Sequence, residues 1–313
     1  MGITSSTLER MIASGEFRFN HLVLRDIDNT QVIRINAPDM VEQEICLFHE
    51  NTEIGDEYVK QLHDFIRSGI EDRRPLPVVR FADGEYAFYR CSLHCNGLYR
   101  QAESVEAIRT AMPFHLEALK ILAEQGKFAP LIFPGNTRKK KKGFLSILRR
   151  SKSDNSAAEF LDFLSREGIA MTGMNYTPFY VIYAYLTSKD FVHLVDGKRV
   201  CILNAEFNRH SCTDWFARFS SHPHLSFVET AAEYVATRWE SMKEGILKQI
   251  PPDTDLCIVG AGIGSLPVCA DVAQRFSIPA IDAGHVLNMM NDRVDKSNGP
   301  RLYTIRKMEN HSR

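Results

Sequence analysis

"DLCIVGAGIGSLPVCADVAQRFSIPAIDAG", residues 255–284, is the stretch on which the fold turns. Leu256 to Val259 form an apolar, partly β-branched run. Gly260, Gly262 and Ser265 follow at the spacing of a G-x-G-x-x-G turn, with serine in third place. Residues 265–275 then carry a helical pattern, and "IPAID" is a second strand ending in Asp282. Strand, glycine turn, helix and strand together make one unit of parallel sheet. Such a turn brings backbone N–H groups and a helix N-terminus to the sheet edge, so Gly260, Gly262 and Gly264 are candidate phosphate contacts. The same pattern opens dinucleotide-binding domains, which keeps a Rossmann-type NAD(P)- or FAD-dependent oxidoreductase among the readings. A dinucleotide fold ordinarily continues with further strands, and only about 30 residues follow Asp282. Position therefore favours a phosphate-facing turn over NAD or FAD.

Outward from this unit, strand and helix alternate. A helix at "GDEYVKQLHDFIRSGIED" leads to a strand at 76–81, then a helix at about 103–125 and a strand at "APLIFP". Helices near 156–167 and around Tyr180, Tyr183 and Tyr185 precede strand "KRVCILNA", and a short helix near 213–219 precedes strand "LSFVET". A helix at 231–249 stops before Pro251-Pro252. Beyond Asp282 a short helix near 285–290 and a closing strand "RLYTIR" are expected. The fold class is α/β: a Rossmann-like, mostly parallel sheet with helices on both faces. Residues 1–55 read as an N-terminal extension with short β elements, and 56–313 as one catalytic domain carrying a basic loop at 135–155.

Composition bounds the function. The chain has 313 residues, 44% apolar and 25% charged, as in an ordinary globular protein. A net charge of −1 gives no reason to expect nucleic-acid binding. Seven cysteines, an odd number without paired spacing, read as free thiols in a reducing compartment. "CSLHC", Cys91 to Cys95 around His94, lacks the second ligand pair a structural zinc needs. No apolar run reaches the roughly 18 residues of a spanning helix, and the first residues lack a secretory pattern. The expected location is cytoplasmic, at most peripheral on a membrane face. Eight basic residues and no acid lie between Arg138 and Lys152; set aside, they leave 30 basic against 39 acidic residues. Around Phe144, Leu145, Ile147 and Leu148 they make either a solvated loop or a contact for an anionic membrane or polyanionic acceptor.

A second stretch, "PVVRFADGEYAF" at 77–88, runs a core strand into two acids. Asp83 and Glu85 at a strand tip must be solvated, paired or bound to a cation. An Asp-Gly turn and a metal or substrate site both satisfy that. Both carboxylates are expected to be ionised at neutral pH.

"RFADGE", followed far downstream by "VGAGIGSLPVCADVAQRFSIPAIDAGH", resembles the glycosyltransferases of the GT-D fold. In that family a strand ends in an Arg-Phe-Gly-Asp-Gly-Glu-like run whose Asp-x-Glu holds a divalent metal, and a later glycine-turn unit leads to Ile-Asp-x-Gly-His. Here Ala82 stands where the family often has glycine. "GKRVCILNAEFNR" is similar to a further family strand that ends in a glutamate with an arginine three residues on, Glu206 and Arg209. The resemblance spans roughly 57–292, in the same order. It implies that Asp83 and Glu85 hold Mn²⁺ or Mg²⁺, and that a nucleoside diphosphate sugar, a UDP-sugar foremost, is the donor. The acceptor it implies is a glycan or a lipid-linked glycan. Glu206 is then either a base for the acceptor hydroxyl or a sugar contact. Arg80 and Arg209 are either phosphate ligands or ion-pair partners. Asp282 and His285 either line the cleft or cap the next helix. Tyr176, Tyr180 and Tyr183 read as core aromatics before a sugar platform. A non-catalytic nucleotide-binding protein is the remaining alternative.

Overall fold

The computed structural model describes residues 2–4, 6–7, 10, 22–25, 32–35, 55–95, 98–132 and 157–292. The basic run 138–152 and the expected closing strand "RLYTIR" lie outside the described residues. Two short strands, β1 (Leu22–Arg25) and β2 (Val32–Ile35), pair antiparallel where alternating residues announced a small β element.

Six apolar runs form one parallel sheet. They are β3 (Leu76–Phe81), β4 (Lys127–Pro130), β5 (Arg199–Asn204), β6 (His224–Glu229), β7 (Leu256–Gly260) and β8 (Pro279–Asp282). Their spatial order is β4-β3-β8-β7-β5-β6, with every pairing parallel. All four residues of β8 are buried, as expected of a strand covered on both faces.

The helices are α1 (Gly55–Glu71), α2 (Asp83–Tyr89), α3 (Val105–Gln125), α4 (Ala157–Arg166) and α5 (Phe179–Leu186). After them come α6 (Lys189–Leu194), α7 (Arg209–Ala217), α8 (Val235–Leu247), α9 (Ser265–Phe276) and α10 (Val286–Met290). Crossovers β3→β4, β6→β7 and β7→β8 all step toward the β4 edge, and their helices α3, α8 and α9 pack on one another. Crossovers β4→β5 and β5→β6 step the other way. A right-handed crossover therefore places their helices on the opposite face, where α1, α5 and α6 meet. Between β5 and β7 the connections diverge, and the carboxyl ends Asn204 and Gly260 border that crevice.

Two sequence expectations change. The expected turn at residues 82–85 is the start of α2, whose inward face Tyr86–Tyr89 is buried. Phe81 stacks on Phe160 of α4 at 4.8 Å and Phe128 of β4 at 5.7 Å, while Tyr89 stacks on Phe163 at 5.1 Å. This aromatic burial carries a seven-residue helix that the Asp-Gly pair would not support alone. β4 also starts two residues earlier than "APLIFP" implied, because Val78 pairs with Lys127 and Phe81 with Pro130.

His115, fully buried in α3, ties three helices together. Its Nε2 donates to the Ala236 carbonyl of α8 at 2.7 Å, which leaves Nδ1 to accept from the Tyr89 hydroxyl of α2 at 3.0 Å. Burial pushes its pKa from 6.5 down to about 4, against the pull of the Ala236 carbonyl. The fold thus favours the neutral ring: that stability is complete above about 6.5 and is lost as pH falls through about 4. The difference is worth up to about 3 kcal/mol. Urea midpoints measured from pH 7 to pH 4 should show this loss in the wild type. His115→Leu should start less stable at pH 7, with two buried polar partners stranded, and lose less on acidification. Parallel pH curves for the two proteins would remove His115 as the source.

Candidate functional site

At the carboxyl end of β3 the chain places a charge in the interior. The Arg80 side chain is 11% exposed and its partner Asp282, at the end of β8, 2%. Arg80 Nη2 donates to Asp282 Oδ1 at 2.9 Å, its Nε to the Asp282 carbonyl at 3.1 Å, and its backbone N–H to Oδ2 at 3.3 Å. Gly284 N–H adds a bond to Oδ1 at 3.2 Å. Arg80 Nη1 donates to the Tyr183 hydroxyl at 2.6 Å, and the guanidinium lies 5.2 Å from the Phe179 ring centre and 5.0 Å from that of Tyr183. Burial opposes its charge, but Asp282 and its other neighbours more than compensate and hold the guanidinium above its ordinary range. Of its two expected roles, Arg80 is here the ion-pair partner. Tyr183 proves to be a buried aromatic with a polar task.

One residue on, the backbone enters α2. Asp83 and Glu85 stand in its first turn, where the helix dipole favours negative charge. Asp83 is exposed and accepts from the Cys95 thiol at 3.3 Å. Glu85 is partly buried and folds back, so that its Oε2 accepts from Ala82 N–H at 2.8 Å. Burial, with Asp282 adding to it, pushes the Glu85 carboxyl from 4.5 up to about 7. The expectation that both acids are ionised at neutral pH is therefore corrected for Glu85. The sequence gives its spacing but not the low-dielectric strand end into which it folds.

The glycine turn lies beside them. A side chain at Gly84 would come 3.8 Å from Ile263 Cδ1, which puts the two motifs in contact. The turn has the expected strand–turn–helix form, yet four of its N–H groups already have protein acceptors. Ala261 N–H bonds Ser265 Oγ at 3.1 Å, Ile263 N–H bonds Gln101 Oε1 at 3.0 Å, Gly264 N–H bonds the Ala261 carbonyl at 3.1 Å, and Ser265 N–H bonds the Gly262 carbonyl. Gly264 is buried against α8, where an added Cβ would meet Val235 Cγ1 at 2.6 Å. Gly260 gives room to Leu287 and Asn204, and Gly262, at φ +56°, to Gln101.

Of the remaining candidates, Glu206 and Arg209 follow β5 across the crevice, and His285 follows β8. Glu206 is exposed on the loop after β5, its carbonyl bonded by Asn204 Nδ2 at 3.0 Å. Arg209, exposed at the start of α7, stacks over Phe227 of β6 at 5.0 Å. His285 is partly buried at the cap of α10, with Nδ1 3.3 Å from Asn288 Nδ2. Asn291, 3% exposed, was not foreseen: its Oδ1 accepts from Asn208 N–H at 2.6 Å and its Nδ2 donates to the Leu287 carbonyl at 2.7 Å, pinning this loop. Gln101 was not foreseen either. Both act across distant segments, so no local pattern signals them.

The chain has similar folds among solved structures. A glycosyltransferase with the DUF1792 domain, from Streptococcus sanguinis, is similar with a TM-score of 0.45 and 14% identity, over 74% of this chain and 81% of its own. A DUF1792 domain described as having a distinct glycosyltransferase fold gives a TM-score of 0.44 and 14% identity, over 80% of this chain and 91% of its own. No protein-family model matches the chain, and neither does any curated protein. Similarity at this level assigns no residue its role.

Among the described residues, no group of three or more His, Cys, Asp or Glu side chains is placed to hold a metal ion alone. Asp83 and Glu85 supply two hard oxygen donors, so a cation held there needs further oxygens from its ligand. Burial raises the pKa of the Glu85 carboxyl. Because the fold favours its protonated form, that stability is complete below about 4.5 and is lost as pH rises through about 7. Glu85→Gln should therefore match the wild type near pH 4.5 and exceed it by about 1–2 kcal/mol at pH 8, after allowing for solvent at the carboxyl. Denaturant midpoints across that range check it; a variant less stable at pH 8 than at pH 4.5, relative to wild type, contradicts it.

Proposed function

We propose that the chain is a metal-dependent glycosyltransferase that moves a hexose from a nucleoside diphosphate sugar, a UDP-sugar foremost, to a glycan or glycolipid acceptor. The observation that carries it is the contact between the start of α2, which bears Asp83 and Glu85, and the glycine turn at the carboxyl edge of the sheet. The sequence resemblance to glycosyltransferases of the GT-D fold joins the same two segments. In the proposed reaction Asp83 and Glu85 hold Mn²⁺ or Mg²⁺ against the donor diphosphate. When bound, the cation would neutralise charge developing on the departing nucleoside diphosphate. Glu85 binds as the carboxylate, so cation affinity rises with pH through about 7. Arg80 and Asp282 keep the end of β3 in place without facing the ligand as free charges. Glu206 is exposed across the crevice, where an acceptor hydroxyl could meet it.

The dinucleotide reading rests on the glycine turn alone. In such folds the acid ending the second strand binds a ribose hydroxyl. Here both Asp282 oxygens are engaged, by Arg80 and Gly284.

Thermal melting with UDP and Mn²⁺, with NADH, and with neither tests the class. UDP with Mn²⁺ should raise the midpoint, since ligand at a hundredfold excess over Kd adds about 2.7 kcal/mol. A rise with NADH alone would favour the oxidoreductase. In a screen of sugar nucleotides, Asp83→Asn and Glu85→Gln should each abolish metal-dependent turnover and keep a folded circular dichroism spectrum. Near-normal turnover with Mn²⁺ in either variant removes it from the metal site.

A further inference from the structure

Gln101 lies on the segment between α2 and α3, 162 residues from the Ile263 that it bonds, and its carboxamide rests on the glycine turn. A Cβ at Gly262 would stand 2.5 Å from Gln101 Oε1, 2.7 Å from Nε2 and 2.8 Å from Cδ, so the amide occupies the space a side chain there would need. Its orientation is set by its partner. Ile263 offers an N–H at 3.0 Å, which only the oxygen can accept, and the nitrogen must take the other side. Nε2 then carries two N–H donors that find no acceptor among the described residues.

The segment is held in place. Gln101 N–H bonds the Leu98 carbonyl at 2.9 Å, and Tyr234 N–H bonds the Arg100 carbonyl at 2.8 Å. Two residues on, Glu103 takes the Thr237 hydroxyl at 2.6 Å and pairs with Arg238 of α8. The segment is thus fixed beside the glycine turn, and the bond from Ile263 N–H orients the amide. The amide covers the glycine at which a diphosphate would approach the backbone, while the turn's N–H groups are largely closed by protein acceptors. Ile263, which Gln101 bonds, also faces Gly84 between the two acids of α2.

We propose, taking the donor to be a nucleoside diphosphate sugar as above, that Gln101 contacts its phosphate oxygens through Nε2. The amide replaces the backbone donors that a glycine turn ordinarily offers. Gly262 is then glycine to seat Gln101, and Gln101 is the residue that meets the ligand.

The test is calorimetric titration of the full chain with UDP and with uridine, each with Mn²⁺. Gln101→Glu keeps an oxygen for Ile263 N–H but turns the donors into a negatively charged acceptor. It should weaken UDP about tenfold or more. Gln101→Ala removes the amide and should weaken UDP about three- to tenfold. Uridine, which lacks phosphate, should bind both variants as it binds the wild type. Should one variant fail to fold, the other carries the comparison. Unchanged UDP affinity overturns the contact, and so does an equal loss for UDP and uridine. Tighter UDP binding by Gln101→Ala also overturns it, by making the amide a plug. A wild-type chain that binds no UDP would sink the proposed function and this contact with it. Binding by wild type and variants alike would sink the contact alone.

Discussion

The ion pair between Arg80 and Asp282 is the constraint on which the rest of the site depends. Asp282 is 2% exposed, and a carboxylate in that position needs a full cation and its hydrogen bonds. Arg80 supplies both, and the Phe179 and Tyr183 rings give the guanidinium a favourable seat. The pair joins two neighbouring strands whose paired residues are 202 positions apart. Deleting either partner would leave an uncompensated buried charge, at a cost of about 3–5 kcal/mol. Its field also reaches Glu85, where Asp282 raises the carboxyl pKa and Arg80 lowers it.

Around this pair the two chemical motifs are held by helices that carry no motif. Tyr89 of α2 reaches His115, His115 reaches the Ala236 carbonyl, and Ala236 packs against Gly264. Tyr86 fixes the other side of α2 by donating to the Leu131 carbonyl at 2.9 Å. One half of the site is thereby packed into the core. The other half, Glu206 to Arg209, is an exposed loop whose firm hold is Asn291. Close packing on one side and a loop on the other suit a site that fixes one ligand and admits a second.

The sequence revealed those parts of the fold that local chemistry determines. The unit β7–α9–β8 was legible because apolar strands flank a glycine turn, and β3 because its residues are apolar and β-branched. Helix α2 was not: Asp83-Gly84 has the chemistry of a turn, and only burial of Tyr86, Phe88 and Tyr89 makes it helical. Asp83 and Glu85 stood out because strand-tip acids are unusual, but Glu85 is raised first by burial, with Asp282 adding to it, and no local window contains either. Gln101 meets Ile263 across 162 residues and His115 meets Ala236 across 121. Pairings of that kind leave no periodicity to read.

The strand order has a consequence for how the chain is made. Among the described residues β8 is the last strand of the sheet in sequence, yet it lies between β3 and β7. Until it emerges from the ribosome, β3 and β4 share no hydrogen-bonded edge with β7, β5 and β6. Two half-sheets with open apolar edges must wait for a four-residue keystone, and closing that loop is slow and exposes them to wrong partners. A nascent chain stalled before Pro279 would carry both acids of α2 and the glycine turn, but not the strand that pairs their two half-sheets.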